Sequence, residues 1–109
     1  MTPEQRLEAF RKLVERNPDD PFARYSVAMG LRGAGRPAEA LEAFAELSRR
    51  NPDYVPTYLM WGQVLEAQGR PDEAGRVYDR GADVARRTGN DHALSELVQA
   101  REALGEATG

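Results

Sequence analysis

The sequence contains no cysteine, a single histidine (His92) and a single lysine (Lys12). Without cysteine the chain cannot form a disulfide, a thiolate metal site or a cysteine nucleophile. One histidine also excludes a metal site built from several histidines. His92 itself is far more typical of a capping or surface residue than of a catalytic base. These absences argue against an enzyme and predict neither a cofactor nor a bound metal.

Basic charge and long apolar runs are scarce as well. Lys and Arg number 15 against 18 Asp and Glu, a net charge of −3. Nucleic-acid binding depends on basic patches that neutralise phosphate, so no nucleic-acid partner is expected. The first 30 residues contain no apolar core of a signal peptide, and no stretch approaches a membrane span. We therefore expect no membrane partner and a cytoplasmic location.

What the chain does contain is a repeat. The segment Gly35–Ala40 (GRPAEA) returns as Gly69–Ala74 (GRPDEA), and Asn17–Asp19 (NPD) returns as Asn51–Asp53, both at an offset of 34 residues. Several agreements at one fixed offset are hard to obtain by chance in 109 residues. A period between 20 and 50 residues indicates stacked supersecondary units.

Each period holds two helical patterns, separated by a Gly-x-Pro turn and followed by an Asn-Pro-Asp break. Thr2, Pro3 and Gln5 indicate a helix start with a capping box. Asp20 as N-cap before Pro21 indicates a second helix start. We expect Gly33 and Gly35 to supply the left-handed backbone that ends the second helix. The predicted helices are 3–16, Pro21 to about Arg32, Pro37 to Arg50, about Tyr54 to Gln68, Pro71 to about Arg87, and about 91–104.

The period and its residues resemble the tetratricopeptide repeat (TPR), a helix-turn-helix unit. One copy carries Val27, Ala28, Leu31, Gly35, Ala40, Phe44 and Pro52, and the next carries Tyr58, Trp61, Gly62, Leu65, Gly69, Ala74 and Tyr78. Arg24 departs from the pattern, which favours a large aromatic residue there, and Arg86 occupies the place of the closing proline.

The resemblance implies an all-α, TPR-like helical solenoid of six antiparallel helices in one domain, 1–109. Its parts would be an N-terminal half-repeat helix (1–18), a repeat (19–52), a second repeat (53–89) and a closing helix (90–106). Arg6 stands where the later copies have Ala40 and Ala74, as is typical of a terminal repeat that lacks a partner helix. Gly81 stands where the previous copy has Leu47, which indicates either a close helix approach or simple tolerance of a poor helix former.

The second helix carries two apolar stripes. At about 100° per residue, Val27, Ala28 and Leu31 lie on one side, with Arg24, and match the core positions of the family. Phe22, Tyr25 and Met29, hereafter the second stripe, lie roughly 140° away. In the TPR family this side lines a concave groove in which peptide or helical partners bind. The alternative is that Phe22 or Tyr25 folds back over the first helix.

The resemblance thus implies a protein-interaction module, an adaptor or scaffold, that binds a peptide or helix in its groove. Tyr25, Met29 and Met60 occupy the positions that would need Lys, Arg and Asn in a carboxylate clamp, so that subtype is set aside. The rival hypothesis is a self-associating structural scaffold, although we expect a monomer or a weak homo-oligomer. The groove residues predicted by matching the helices are Phe22, Tyr25, Met29, Arg32, Leu59, Gln63, Glu66, His92, Ser95 and Gln99.

Overall fold

The computed structural model describes residues 1–108, with side chains through residue 105. Within that range the chain forms six α-helices and no strand, as predicted. The helices are α1 (Pro3–Arg16), α2 (Pro21–Gly33), α3 (Pro37–Arg50), α4 (Pro56–Ala67), α5 (Pro71–Thr88) and α6 (Asp91–Thr108). Two compact units result: Met1–Asn51 contains α1–α3, and Pro52–Gly109 contains α4–α6. The single domain expected over 1–109 stays a prediction.

The helix starts follow from local side-chain chemistry. Thr2 Oγ1 accepts a hydrogen bond from the Gln5 backbone amide at 3.1 Å, and Gln5 Oε1 accepts one from the Thr2 amide at 2.9 Å. This reciprocal pair is a capping box, which satisfies two amides that a helix start leaves unpaired. Asp20 Oδ1 caps α2 through the Phe22 amide at 3.0 Å. Asn90 caps α6 through the Ala93 amide at 3.1 Å.

The 34-residue period is visible in the backbone angles. Gly35 and Gly69 both have φ of +73°, which L side chains rarely adopt, so glycine is required at both turns. The C-caps Asn17 and Asn51 share φ of −135° with ψ of 68° and 70°. Gly33 is a correction to the prediction, because it stays helical as the last residue of α2 and only Gly35 is left-handed.

The remaining helix ends differ from the prediction by a few residues. α4 begins at Pro56 and not at Tyr54, because Thr57 and Tyr58 donate to the carbonyls of Tyr54 and Val55, three residues back, in a tight turn before the helix. α6 extends past residue 104 to Thr108, since Gly105 does not take the left-handed conformation that would end it.

The core of the N-terminal unit joins α1, α2 and α3. Leu7, Ala28, Ala40, Phe44 and Leu47 are completely buried. At Gly30, the missing side chain lets α1 come close: a Cβ there would lie 3.2 Å from Phe10 Cδ2 and 3.3 Å from Leu7 Cδ1. Residues of α1 one turn further are less covered, and Leu13 is 37% exposed.

The core of the C-terminal unit is built around two buried tyrosines and two glycines. Tyr78 of α5 packs on Gly62 of α4, where a Cβ would lie only 2.1 Å from Tyr78 Cε1. A Cβ added at Gly81 of α5 would lie 2.5 Å from Tyr58 Cβ and 2.9 Å from Leu97 Cδ2. Of the two alternatives for Gly81, a close helix approach is therefore correct.

Candidate protein-binding surface

The three residues of the second stripe are not fully buried, and they differ in exposure. Phe22 is 58% exposed, more than any other aromatic residue that the structure describes. On the same helix, Ala23, Ala28 and Leu31 are at most 5% exposed. The cap at Asp20 fixes the first turn of α2 and so sets the direction in which Phe22 leaves the backbone. The helix thus holds an aromatic side chain in solvent at a defined place.

Tyr25 and Met29 continue the stripe and are half-buried. The Tyr25 ring packs edge-to-face on Phe44 of α3, with 6.5 Å between the ring centroids and 64° between the planes. Partial burial raises the pKa of the Tyr25 phenol, and the nearby Arg32 guanidinium opposes that shift. Tyr25 therefore packs on Phe44 of α3. Arg32 is exposed in the last turn of α2 and places a positive charge at that end of the stripe.

In the C-terminal unit, the predicted residues of α4 differ in their environment. Leu59 and Gln63 are half-buried, whereas Glu66 is exposed. Glu66 accepts a hydrogen bond from the hydroxyl of the buried Tyr78, and burial, together with this contact, raises the pKa of Tyr78. Glu66 thus has a structural role that the sequence pattern did not indicate.

The predicted residues of α6 form a polar, exposed row. His92 Nε2 lies 3.3 Å from Glu96 Oε1, and the Gln99 amide donates to Ser95 Oγ at 3.2 Å. The buried side of α6 carries Leu97 and Leu104. α6 therefore offers hydrogen-bonding groups and little apolar area on its exposed side.

Ion pairs around these surfaces repeat with the period. Arg36 binds Glu39 and Arg70 binds Glu73 at the start of α3 and of α5, and each arginine lowers the pKa of its carboxyl partner. The pairs are exposed, so each contributes little to stability.

Asp79 and Asp83, four residues apart on α5, each pair with an arginine. Asp83 pairs with Arg86 at 3.1 Å on the same helix, whereas Asp79 pairs with Arg101 of α6 at 3.3 Å. Across the described residues, no group of three or more His, Cys, Asp or Glu side chains is arranged to hold a metal ion. Nor does any helix of that part of the chain have the length and apolarity needed to cross a bilayer.

One contact that sequence reasoning missed lies between α4 and α5. The Arg80 guanidinium is 5.6 Å from the ring centroids of both Tyr58 and Trp61. Guanidinium groups at this distance from aromatic faces make cation–π contacts. Nothing in the α5 pattern itself points to α4, so the sequence alone does not predict this contact.

Paired helices with the same turn geometry at a 34-residue spacing define a helical-hairpin repeat protein. Two tetratricopeptide repeat family models match the chain, one over residues 31–100 and the other over residues 3–54. The chain belongs to the tetratricopeptide repeat family. Domains of this family generally mediate protein–protein interaction and bind protein or peptide partners.

Solved structures of the same fold support this assignment. A tetratricopeptide repeat domain protein from Salinibacter ruber is 38% identical in its crystal structure, with a TM-score of 0.75, over 79% of this chain and 97% of that chain. Its solution NMR structure gives 39% identity and a TM-score of 0.77, over 81% and 89% of the two chains.

A more distant structure has the same fold. The TPR2B domain of yeast Sti1, solved in complex with pHsp70, is 17% identical with a TM-score of 0.84, over 93% of this chain and 81% of that one. At this identity the likeness shows the fold alone. No curated protein matches the chain.

Proposed function

We propose that this chain is a protein-interaction module, with an adaptor or scaffold role, that binds a peptide or helix through the second stripe of α2. The observation that carries the proposal is the 58% exposure of Phe22 on a helix whose Ala23, Ala28 and Leu31 are buried. Exposed aromatic groups of this kind mark interaction sites, because they supply a large contact area at a low entropic cost. Tyr25 and Met29 extend the apolar area along the same side.

The chemistry of the stripe defines the partner. A segment that lies along it buries apolar side chains on Phe22 and Met29, and reaches the positive charge of Arg32 at the end of α2. We therefore expect a partner peptide with two apolar anchors and an acidic group about one helical turn beyond them. Burial of an aromatic anchor is the kind of contact that dominates binding energy in protein interfaces.

We assign a second group of contacts to the C-terminal unit. Leu59 supplies apolar area there, while Gln63, Glu66, His92, Ser95 and Gln99 supply hydrogen-bonding groups. This set is tested separately from the second stripe, with its own substitution, Leu59→Ala. The cytoplasmic location expected from the sequence stays a prediction.

The test uses peptides selected from a random phage-displayed library on the immobilised chain. Their dissociation constants are measured by fluorescence anisotropy for the parent chain and for the Phe22→Ala and Leu59→Ala variants. Leu13→Ala is the matched control, because Leu13 is another exposed, large apolar residue, with 37% of its surface accessible, but lies on α1. Far-ultraviolet circular dichroism checks that each variant is folded.

We expect Phe22→Ala to weaken the selected peptides about tenfold or more, which corresponds to roughly 1.4 kcal/mol. Leu13→Ala should leave the affinity unchanged. Peptides that bind the parent and Phe22→Ala equally well would contradict the proposal. Light scattering on the free chain separates it from the rival self-associating scaffold, which requires a stable oligomer without any added peptide.

A further inference from the structure

An apolar cleft lies in the N-terminal unit, on the side of α2 opposite to the second stripe. It is a cleft of about 180 Å³ between α1, α2 and α3. Val14, Val27 and Ala43 supply its apolar lining, and Arg11, Arg24 and Glu46 its charged groups. Arg24 and Phe22 are two residues apart on α2, which places their side chains roughly 160° from each other. The cleft is therefore separate from the second stripe.

The 34-residue period shows what occupies the equivalent place in the next copy. Arg24, Val27 and Glu46 correspond to Tyr58, Trp61 and Arg80. In the C-terminal unit these three residues pack together: the two ring centroids are 6.5 Å apart, and the Arg80 guanidinium lies 5.6 Å from each of them. Two aromatic rings thus stand where the N-terminal unit has an arginine and a valine.

A shared hydrogen bond shows that the two places are equivalent in structure as well as in sequence. The Tyr58 hydroxyl donates to the Pro52 carbonyl at 2.5 Å, and Arg24 Nε donates to the Pro18 carbonyl at 2.9 Å. Pro18 and Pro52 are themselves 34 residues apart. Arg24 therefore replaces the phenol as hydrogen-bond donor to the same carbonyl of the repeat. It does not replace the bulk of the ring.

The charge around the cleft is unevenly compensated. Glu46 pairs with Arg49 at 2.5 Å and with Arg50 at 2.8 Å, so its negative charge is neutralised within α3. Glu39, whose pKa is lowered mainly by Arg36 and only to a lesser degree by Arg11, is bound by Arg36. Two guanidinium groups, those of Arg11 and Arg24, therefore give the mouth of the cleft a positive potential.

We propose that this cleft receives an aromatic side chain of a protein partner, flanked in the partner by carboxylates. An apolar cavity of about 150 Å³ is large enough to hold benzene, so the volume suits one ring. The ring would contact Val14, Val27 and Ala43, with the Arg24 guanidinium at its edge or face, as Arg80 contacts Tyr58 and Trp61 in the next copy. The adjacent carboxylates would pair with Arg11 and Arg24.

The test is an NMR titration of the full chain, labelled at the methyl groups of valine and alanine. The probe is the blocked tripeptide acetyl-Asp-Trp-Asp-amide, and its charge-reversed control is acetyl-Lys-Trp-Lys-amide. We expect saturable shifts at Val14, Val27 and Ala43, with a dissociation constant in the millimolar range that a single buried ring provides. The lysine-flanked control should bind at least threefold more weakly at low salt.

Two variants fill the cleft with the side chains of the next copy. Arg24→Tyr and Val27→Trp introduce the side chains of Tyr58 and Trp61 at the matching positions. Either variant should therefore abolish the saturable shifts. Arg24→Tyr should also raise the melting temperature, because it buries a ring in place of a cleft. The second variant keeps the test decisive if the first fails to fold.

Three results would overturn the proposal. The first is the absence of shifts at Val14, Val27 and Ala43 with the acidic probe. The second is equal binding by a folded, cleft-filled variant. The third is a shift of the same methyl groups when the chain alone is concentrated, which would assign the cleft to a second copy.

Discussion

Substitution of the buried glycines by alanine tests the helix packing most sharply. At Gly62 an added Cβ would lie 2.1 Å from Tyr78 Cε1 and 2.6 Å from two further ring atoms. Tyr78 is completely buried, and its hydroxyl is bound to Glu66, so the ring cannot swing aside at low cost. Overpacking of this kind costs about 1–3 kcal/mol, whereas alanine regains up to about 1 kcal/mol of helix propensity. We expect Gly62→Ala to lower the free energy of unfolding by about 1–2 kcal/mol.

Gly81→Ala should be more severe than Gly62→Ala. Its added Cβ would lie 2.5 Å from Tyr58 Cβ, an atom attached directly to the backbone, and 2.9 Å from Leu97 Cδ2. Relief would require a shift of α4 relative to α5. Gly75→Ala is the intermediate case, since its nearest neighbour is Arg101 Cζ at 3.2 Å, the far end of a flexible side chain. That variant should be nearly neutral.

The matched control is Gly33→Ala. Gly33 is helical, its φ is not positive, and a Cβ added there would have no described atom within 4 Å. This variant should gain about 0.4–1 kcal/mol. Thermal unfolding followed by circular dichroism measures the series, at roughly 4 °C per kcal/mol for a chain of this length. If Gly62→Ala or Gly81→Ala melts at or above the parental temperature, the close packing of α4, α5 and α6 is wrong.

Three further predictions concern the core, alkaline stability and the exposed side chain of Arg6 on α1. Ala74 is completely buried, so Ala74→Leu should overpack and cost about 1–3 kcal/mol in urea unfolding; a parental midpoint would disprove the pairing of α5 with α4. Because the pKa of Tyr78 is raised above its unfolded value of about 10, its contribution is present below pH 10 and is lost as the pH rises further. Tyr78→Phe should therefore flatten the loss of stability above pH 10 in denaturant titrations, and an unchanged slope would refute this. Arg6 is exposed on α1 at the place where the later copies have Ala40 and Ala74. Arg6→Ala should increase the mass measured by light scattering at matched concentration, since it removes a charge that opposes the stacking of one molecule on another; an unchanged mass would exclude that role.

Much of the fold follows from local sequence signals. The starts of α1, α2, α3 and α5 were predicted to the residue because each has proline at the first helical position. The left-handed turns at Gly35 and Gly69 follow from the repeat. The prediction that Gly33 would be left-handed was wrong. Two glycines lie near the end of α2, and the hydrogen bonds decide which of them takes the left-handed conformation. Here the Gly35 and Arg36 amides donate to the carbonyls of Arg32 and Leu31, which places the turn at Gly35.

Contacts between distant residues were much harder to predict. The second stripe could be deduced from helical angles, and the exposure of Phe22 agrees with it. The hydrogen bond from Tyr78 to Glu66 and the stacking of Arg80 on Tyr58 and Trp61 join residues 12 to 22 positions apart, so no periodicity within one helix reveals them. Only the comparison of one copy with the next, at fixed offset, shows that Arg24 stands in the place of a packed aromatic residue.

The central claim is tested most directly by the methyl signals of the three methionines, Met1, Met29 and Met60. Each labelled methyl group gives one resolved signal: Met29 reports on the second stripe, Met60 on α4, and Met1, 83% exposed at the N-terminus, serves as an internal control. On titration with a library-selected peptide, we predict that the Met29 signal shifts and saturates, while the Met1 signal does not shift. We also predict nuclear Overhauser effects between the Met29 methyl group and protons of the peptide. A peptide that binds the chain yet leaves the Met29 signal unmoved would contradict the claim that α2 carries the binding surface.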